Sequence, residues 1–193
     1  MNIRHLDSTL SSHFDTYHQA LILLGARQVG KTTLLRRLFP DAHYLLLDNQ
    51  GTKEILESYD IHTYRQILGS YKTIILDELH LLTNPGRAVK IIYDQMPELK
   101  LIITGSSSLH IRNKTSESMA GRKIDYHLYP LTFAEYLYQT QISPTLDSNL
   151  ISRLISNSPP PPRLYQSAKI IPNALIYGLY PELVTLPQDI PYL

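Results

Sequence analysis

The clearest chemistry in this sequence lies in a loop of the pattern G-x-x-x-x-G-K-[ST], which follows an apolar run. A polyphosphate is bound by backbone N–H groups that wrap closely around it, and Gly25 and Gly30 are expected to permit that path. A helix that opens at Gly30 would direct its positive end at the anion. Lys31 is expected to reach the β- and γ-phosphates, and the Thr32 hydroxyl to ligate Mg²⁺. The predicted nucleotide-binding residues are Gly25, Ala26, Arg27, Gln28, Val29, Gly30, Lys31, Thr32 and Thr33.

An acidic pair, Asp77 and Glu78, ends a second apolar run at residues 72–76. An acid at the end of a buried strand can hold Mg²⁺ through water, and a neighbouring glutamate can orient or deprotonate an attacking water. The sequence therefore predicts Thr32 and Asp77 as metal ligands, with Glu78 and Lys31 as catalytic residues. The alternative is that the two acids only mark a solvated strand end.

Three further polar residues lie downstream of the acidic pair. Thr104 and Ser106 lie at the end of a further apolar run, which begins at residue 99. A polar side chain at this place can touch the γ-phosphate or the attacking water. The alternative for these two residues is a serine-rich turn with local hydrogen bonds. Arg122 is a candidate arginine finger that would stabilise transition-state charge, although most single arginines are simply solvated.

The composition excludes several classes of function. The chain has 193 residues, 18 Lys and Arg against 17 Asp and Glu, a formal charge of +1 and no cysteine. Disulfides, cysteine-based zinc sites and thiol catalysis are therefore excluded, and no strong overall field draws nucleic acid or acidic lipid. Neither a signal core nor a membrane-length apolar run is visible, so we expect a cytoplasmic protein with no membrane partner.

Short apolar runs alternate with helical patterns along the chain. Predicted strands cover 20–24, 43–47, 72–76, 99–104 and 124–128, and predicted helices cover 33–39 and 87–96. Thr132 with Glu135 forms a capping box that opens another helix, which runs to about residue 139. This order predicts an α/β fold in which a parallel sheet carries helices on both faces.

A polyproline stretch, Ser158–Pro162, predicts the end of the compact core. We expect one domain over residues 1–157, with a short helix near 149–155, and a linker with the start of a C-terminal region over 158–193. Residues 183–193 show neither helical nor strand periodicity, so this tail is expected to be loose.

Several segments together resemble one family. They are residues 20–33, 75–80, 103–109, 120–122 and 128–137, which are similar, in this order, to the prokaryotic AAA-like ATPases with a second, uncharacterised C-terminal domain. The resemblance implies a P-loop NTPase core with strand order 5-1-4-3-2, and ATP and Mg²⁺ as ligands. Two positions depart from the family pattern: His80 stands where Gln is usual, and a Gly-Leu-Tyr-Pro turn at 178–181 replaces Gly-Gly-aromatic-Pro. The chain is expected to be a truncated member.

These observations predict an ATPase that hydrolyses the β–γ bond of ATP with Mg²⁺. Two alternatives stay open. The first is a nucleotide-gated switch or scaffold with little turnover that signals to a protein partner, and the second is the ATPase module of a nucleic-acid-acting protein, which the net charge does not support. A homo-oligomer is also left open, because an arginine finger can act across a subunit boundary.

Overall fold

The computed structural model describes residues 3–105 and 119–141, together with positions 143, 146, 172, 174–175 and 178–185. The chain divides into two compact units. The larger unit consists of Thr9–Arg27 and Lys31–Leu128, and the smaller unit consists of Met1–Ser8, Gln28–Gly30 and Tyr129–Leu193.

The larger unit is built on a five-stranded sheet. Its strands are β1 (Ala20–Leu24), β2 (His43–Leu46), β3 (Thr73–Asp77), β4 (Lys100–Gly105) and β5 (Lys123–His127). Their order is β2-β3-β4-β1-β5, and every neighbouring pair is parallel. This is the predicted order 5-1-4-3-2 counted from the opposite edge, so the predicted α/β fold is confirmed.

Two short helices precede β1, and the other helices connect the strands. They are α1 (Asp7–Ser11), α2 (His13–Thr16), α3 (Lys31–Leu38), α4 (Gln50–Glu57), α5 (Ile61–Leu68) and α6 (Pro85–Gln95), with a 3₁₀ turn at Leu79–Leu81. Side chains cap three of them, because Asn49, Asp60 and Asn84 accept hydrogen bonds from the first-turn amides of α4, α5 and α6. The sequence analysis did not predict α4 or α5.

The central strands are buried because helices cover the sheet. All five residues of β1 are buried, and β3 and β4 are buried along nearly their whole length. Ile22, Ile74 and Ile103 are fully buried within one apolar cluster that also contains Tyr64 of α5 and Ile92 of α6. Such continuous apolar strands are typical of a parallel sheet. The carboxyl ends of β1, β3 and β4 therefore belong to a firmly packed frame.

The smaller unit contains α7 (Phe133–Gln139) and α8 (Pro181–Thr185). The predicted capping box is confirmed, since the Thr132 hydroxyl and the Glu135 carboxylate each accept a backbone N–H of the other residue. Leu179 and Val184 pack against a small cluster around α7. Residues 183–185 are thus helical, unlike the loose tail that the sequence predicted.

The other predictions for the C-terminal part, the helix at 149–155, the polyproline stretch and the boundary at 157/158, lie outside the described residues. Within the described part of the chain, no helix has the length and apolar character needed to span a bilayer.

Candidate nucleotide-binding site

The predicted phosphate loop connects β1 to α3, which begins at Lys31. Two of its residues have left-handed backbone, Gln28 with φ 65° and Gly30 with φ 91°. Gly30 therefore uses the conformational freedom that was predicted for it. The other left-handed residue of the loop is Gln28, and not Gly25 as the sequence suggested. A side chain at positive φ is strained, and such residues cluster at binding sites.

Lys31 is almost fully buried, with 7% of its surface exposed. Its Nζ donates hydrogen bonds to the carbonyl oxygens of Gly25 and Ala26 at 2.8 and 2.9 Å. Burial lowers the pKa of the Lys31 amine, while the carboxylates of Glu78 and Asp77 oppose this shift. The ammonium group thus lies over the first residues of the loop, with two acids close enough to act on its charge.

Asp77 ends β3 and has 5% of its surface exposed. The Thr32 hydroxyl donates to its Oδ2 at 3.2 Å, and the Thr104 hydroxyl donates to its Oδ1. Tyr44 in turn donates to the Thr32 hydroxyl at 3.4 Å. The structure therefore brings the two predicted metal ligands, Thr32 and Asp77, into direct contact.

These oxygens suit Mg²⁺. The ion prefers hard oxygen ligands, takes only one or two carboxylates from a protein, and leaves further positions to phosphate and water. In the described part of the chain there is no group of three or more His, Cys, Asp or Glu side chains that could hold a metal by themselves. A hydroxyl beside a single carboxylate matches an ion that is bound jointly with a nucleotide.

Glu78 follows Asp77 in left-handed backbone, with φ 60° and ψ 43°. Its Oε2 lies 3.1 Å from Nδ1 of His80, and both side chains are about a quarter exposed. The left-handed turn moves the Glu78 side chain out of the alternation of β3. His80, one of the two departures from the family pattern that the sequence analysis noted, is thus a direct neighbour of the predicted catalytic base.

The remaining predicted residues differ in placement. Thr104, at the end of β4, is fully buried and its hydroxyl is bonded to Asp77. Ser106 lies outside the described residues. Arg122 lies just before β5, where its Nε and one terminal nitrogen are 2.8 and 3.3 Å from the two carboxylate oxygens of Asp94 in α6.

Tyr44 is a site residue that the sequence analysis missed. It lies on β2, and the guanidinium of Arg36 stacks over its ring at 4.5 Å, while its hydroxyl reaches Thr32. Tyr44 is the second of the four residues of β2, so no local signal at the carboxyl end of that strand, where ligands bind in parallel sheets, pointed to it.

Comparison with known proteins assigns the chain to a family. The model of a family described as AAA domain matches residues 17–137. The uncharacterised protein MJ1637 of Methanocaldococcus jannaschii is 31% identical over 140 residues, which make up 64% of this chain and 28% of that protein.

Two solved structures are similar in fold. The Walker-type ATPase PABY2304 of Pyrococcus abyssi gives a TM-score of 0.58 at 16% identity, over 95% of this chain and 66% of that protein. The S. cerevisiae Hsp104–ADP complex gives 0.54 at 13% identity, over 94% of this chain and 29% of that protein. The chain thus spans less than two thirds of each of these relatives, and at such identities the two structures show the fold alone.

The family match is broader than any single motif. It covers more than half of the chain and includes the phosphate loop, Asp77 with Glu78, and Arg122. The chain therefore belongs to the AAA domain family, and its predicted place among the AAA-type P-loop ATPases is confirmed.

Proposed function

We propose that this chain binds ATP together with Mg²⁺ and hydrolyses the β–γ bond. The observation that carries the proposal is the 3.2 Å contact between the Thr32 hydroxyl and the Asp77 carboxylate, at the end of the loop that follows β1. A loop rich in backbone donors, a lysine and two oxygen ligands together make a site for a triphosphate and its metal. Mg²⁺ held by Thr32 and Asp77 would neutralise charge on the β- and γ-phosphates.

Lys31 and Glu78 would carry the remaining roles. The Lys31 ammonium now bonds two neutral carbonyl oxygens, and phosphate oxygens would be stronger acceptors because they carry charge. Glu78 would orient a water and accept its proton on a carboxylate oxygen. As the water oxygen attacks the γ-phosphorus, the bond from this phosphorus to the oxygen that bridges to the β-phosphate breaks, and ADP and inorganic phosphate leave.

A second candidate is a nucleotide-gated switch with little turnover. It is favoured by the position of His80, whose Nδ1 lies 3.1 Å from one carboxylate oxygen of the proposed base. In a switch of this kind, the bound nucleotide would change the conformation of the chain, and Glu78 would stay on His80. The two candidates share ATP binding and differ only in the rate of phosphate release.

Phosphate release by the purified chain separates these candidates. We expect Glu78→Gln to keep ATP·Mg²⁺ binding while turnover falls by roughly 10²-fold, because water is no longer deprotonated. Glu98→Gln is the matched control, since Glu98 is an exposed glutamate whose carboxylate lies 3.8 Å from the exposed Arg65. Binding without turnover in the wild-type chain would favour the switch, and absence of both would contradict the proposed function.

A further inference from the structure

We propose that Arg4 is a positioning residue for the phosphate loop, which sets the affinity of the site for a polyphosphate through the backbone of Val29. The inference rests on the proposed function, because it assigns a cause to the shape of that loop. Arg4, Val29 and all the partners discussed below belong to the smaller unit. None of these residues was predicted to interact with Arg4 from the sequence.

Arg4 is an unusually buried arginine, with 6% of its surface exposed. One terminal nitrogen donates to the Val29 carbonyl at 3.0 Å. The other donates to the carbonyls of Tyr129 and Pro130 at 2.6 and 3.3 Å. Three backbone oxygens from two distant stretches of chain therefore share one guanidinium group.

Glu135 holds this guanidinium in place. It is 2% exposed, and its Oε1 lies 3.1 Å from Nε of Arg4 as an ion pair. The same carboxylate accepts the backbone N–H groups of His5 and Thr132, each at 2.7 Å. Because both of its oxygens accept backbone N–H groups, the Glu135 carboxylate is held beside the Arg4 guanidinium and neutralises its charge.

The burial of this pair needs a reason beyond stability. Removing two charges from water costs several kcal/mol per ion, and well-packed apolar residues are often as stable as a buried ion pair. A better-supported use of a buried ionic group is to select one conformation. The backbone that Arg4 selects includes that of the phosphate loop.

Arg4 contacts the phosphate loop at Val29, so this is the residue through which it can select the conformation of the loop. The Val29 side chain is fully buried, and Val29 lies between the two left-handed residues Gln28 and Gly30. The Val29 carbonyl and the Gly30 N–H belong to the same planar trans peptide, so they point in opposite directions. When Arg4 holds the carbonyl, it also sets the direction of the Gly30 N–H, one of the donors expected to wrap a phosphate.

Lysine cannot reproduce this arrangement. The guanidinium presents its donors in a rigid plane, whereas an ammonium is a point charge on a flexible stem. Arg4→Lys therefore keeps the charge beside Glu135, but it cannot make the simultaneous hydrogen bonds to the carbonyl oxygens of Val29, Tyr129 and Pro130. The variant separates the positioning role from a purely electrostatic one.

The test measures binding of inorganic tripolyphosphate with Mg²⁺, and of ATP with Mg²⁺, by calorimetry on the full chain. We expect Arg4→Lys to weaken both by about tenfold, the typical effect of one hydrogen bond to a charged group. Arg65→Lys is the matched control, because Arg65 is an exposed arginine of α5. Thr132→Ala controls for stability, since it removes the cap of α7 but keeps every contact of Arg4.

The outcomes are distinct. Equal affinities in wild type and Arg4→Lys would overturn the inference and leave the proposed function intact. An equal loss in Thr132→Ala, at a matched fall in melting temperature, would also overturn it, because general destabilisation would then suffice. If Arg4→Lys does not fold, Glu135→Gln replaces it: weaker tripolyphosphate binding supports the inference, and unchanged binding contradicts it. A wild-type chain that binds neither ligand would refute the proposed function itself.

Discussion

Thr104 donates its hydroxyl hydrogen to Oδ1 of Asp77 on the neighbouring strand, where both side chains are buried. The sequence predicted that Thr104 would touch the γ-phosphate or the attacking water. In the structure its hydroxyl is bonded to the proposed metal ligand, whose second oxygen accepts from Thr32. Two threonines on opposite sides therefore fix the orientation of one carboxylate.

Thr104→Val tests the importance of this orientation. Valine keeps the shape of threonine but leaves a buried oxygen of Asp77 without its donor. We expect the free energy of unfolding to fall by about 1–3 kcal/mol, the usual cost of an unsatisfied buried polar group. The Mg²⁺ concentration for half-maximal ATP turnover should rise, because a carboxylate held by Thr32 alone is less firmly oriented and is a poorer ligand. Magnesium titrations of turnover would measure the second effect.

Thr104→Ser is the control for this variant. It keeps the hydroxyl and removes one methyl group, so the magnesium requirement should stay near that of the wild type. If the serine and valine variants need the same magnesium concentration, the hydrogen bond to Asp77 does not tune metal binding.

Lys31→Ala should abolish detectable ATP binding, because the buried charge that would face the phosphates is removed. For the wild type, ATP·Mg²⁺ at about 100 times its dissociation constant should stabilise the fold by roughly 2.7 kcal/mol. Thermal unfolding with and without nucleotide measures the difference. Lys90→Ala is the control, since Lys90 is an exposed residue of α6. A thermal shift in Lys31→Ala equal to that of the wild type would contradict the assignment.

Local signals in the sequence were sufficient for the sheet and for the ends of its strands. Each predicted strand lies within one residue of the observed one. The clearest are β1, β3 and β4, which contain continuous apolar runs that are buried along nearly their whole length. Asp77 and Lys31 could also be placed, since a loop after β1 and an acid after β3 meet at the same edge of a parallel sheet.

Other features depend on contacts that no local pattern contains. Helices α4 and α5 were missed although Asn49 and Asp60 precede them as caps, because each has only eight residues, fewer than the window in which helical periodicity is clear. Arg4 and Glu135 are separated by more than a hundred residues, and the sequence gives no reason to bury either. The left-handed backbone of Gln28 was likewise not predicted, since glycine is the usual residue in a left-handed conformation.

Glu57 provides a prediction about pH. Its carboxylate accepts the backbone N–H and the hydroxyl of Thr83 at 2.7 and 2.8 Å, and these hydrogen bonds lower its pKa in the folded state. The stabilising contribution is therefore complete above the unfolded-state pKa of about 4.3. It is lost as the pH falls through the lower, folded-state pKa.

Glu57→Gln should consequently destabilise the chain at pH 7 by roughly 0.5–1 kcal/mol, a small value because the site is exposed to solvent. Below about pH 4 the wild type and the variant should become more alike. Urea unfolding at both pH values measures this, with Glu98→Gln as the control. A difference that is as large at low pH as at pH 7 would show that the charge of Glu57 is not the cause.

Arg122 allows a test of whether the site is completed by a second copy of the chain. In the structure its guanidinium forms a two-point ion pair with Asp94, and both side chains are about a third exposed. Such a solvent-exposed pair contributes little to folding. If Arg122 also acts as an arginine finger, Arg122→Ala should lower ATP turnover by at least 10²-fold, far more than its effect on stability.

Two comparisons isolate that role. Asp94→Ala breaks the same ion pair but keeps the guanidinium, so it should match Arg122→Ala in stability and retain turnover. Mixing Arg122→Ala chains with Glu78→Gln chains should restore part of the activity, because one interface then joins an intact arginine to an intact glutamate. Equal turnover in the Arg122 and Asp94 variants would show that Arg122 has no role in turnover beyond its ion pair with Asp94. A chain that stays monomeric with ATP in light scattering, and whose mixtures remain inactive, would exclude action across a subunit boundary.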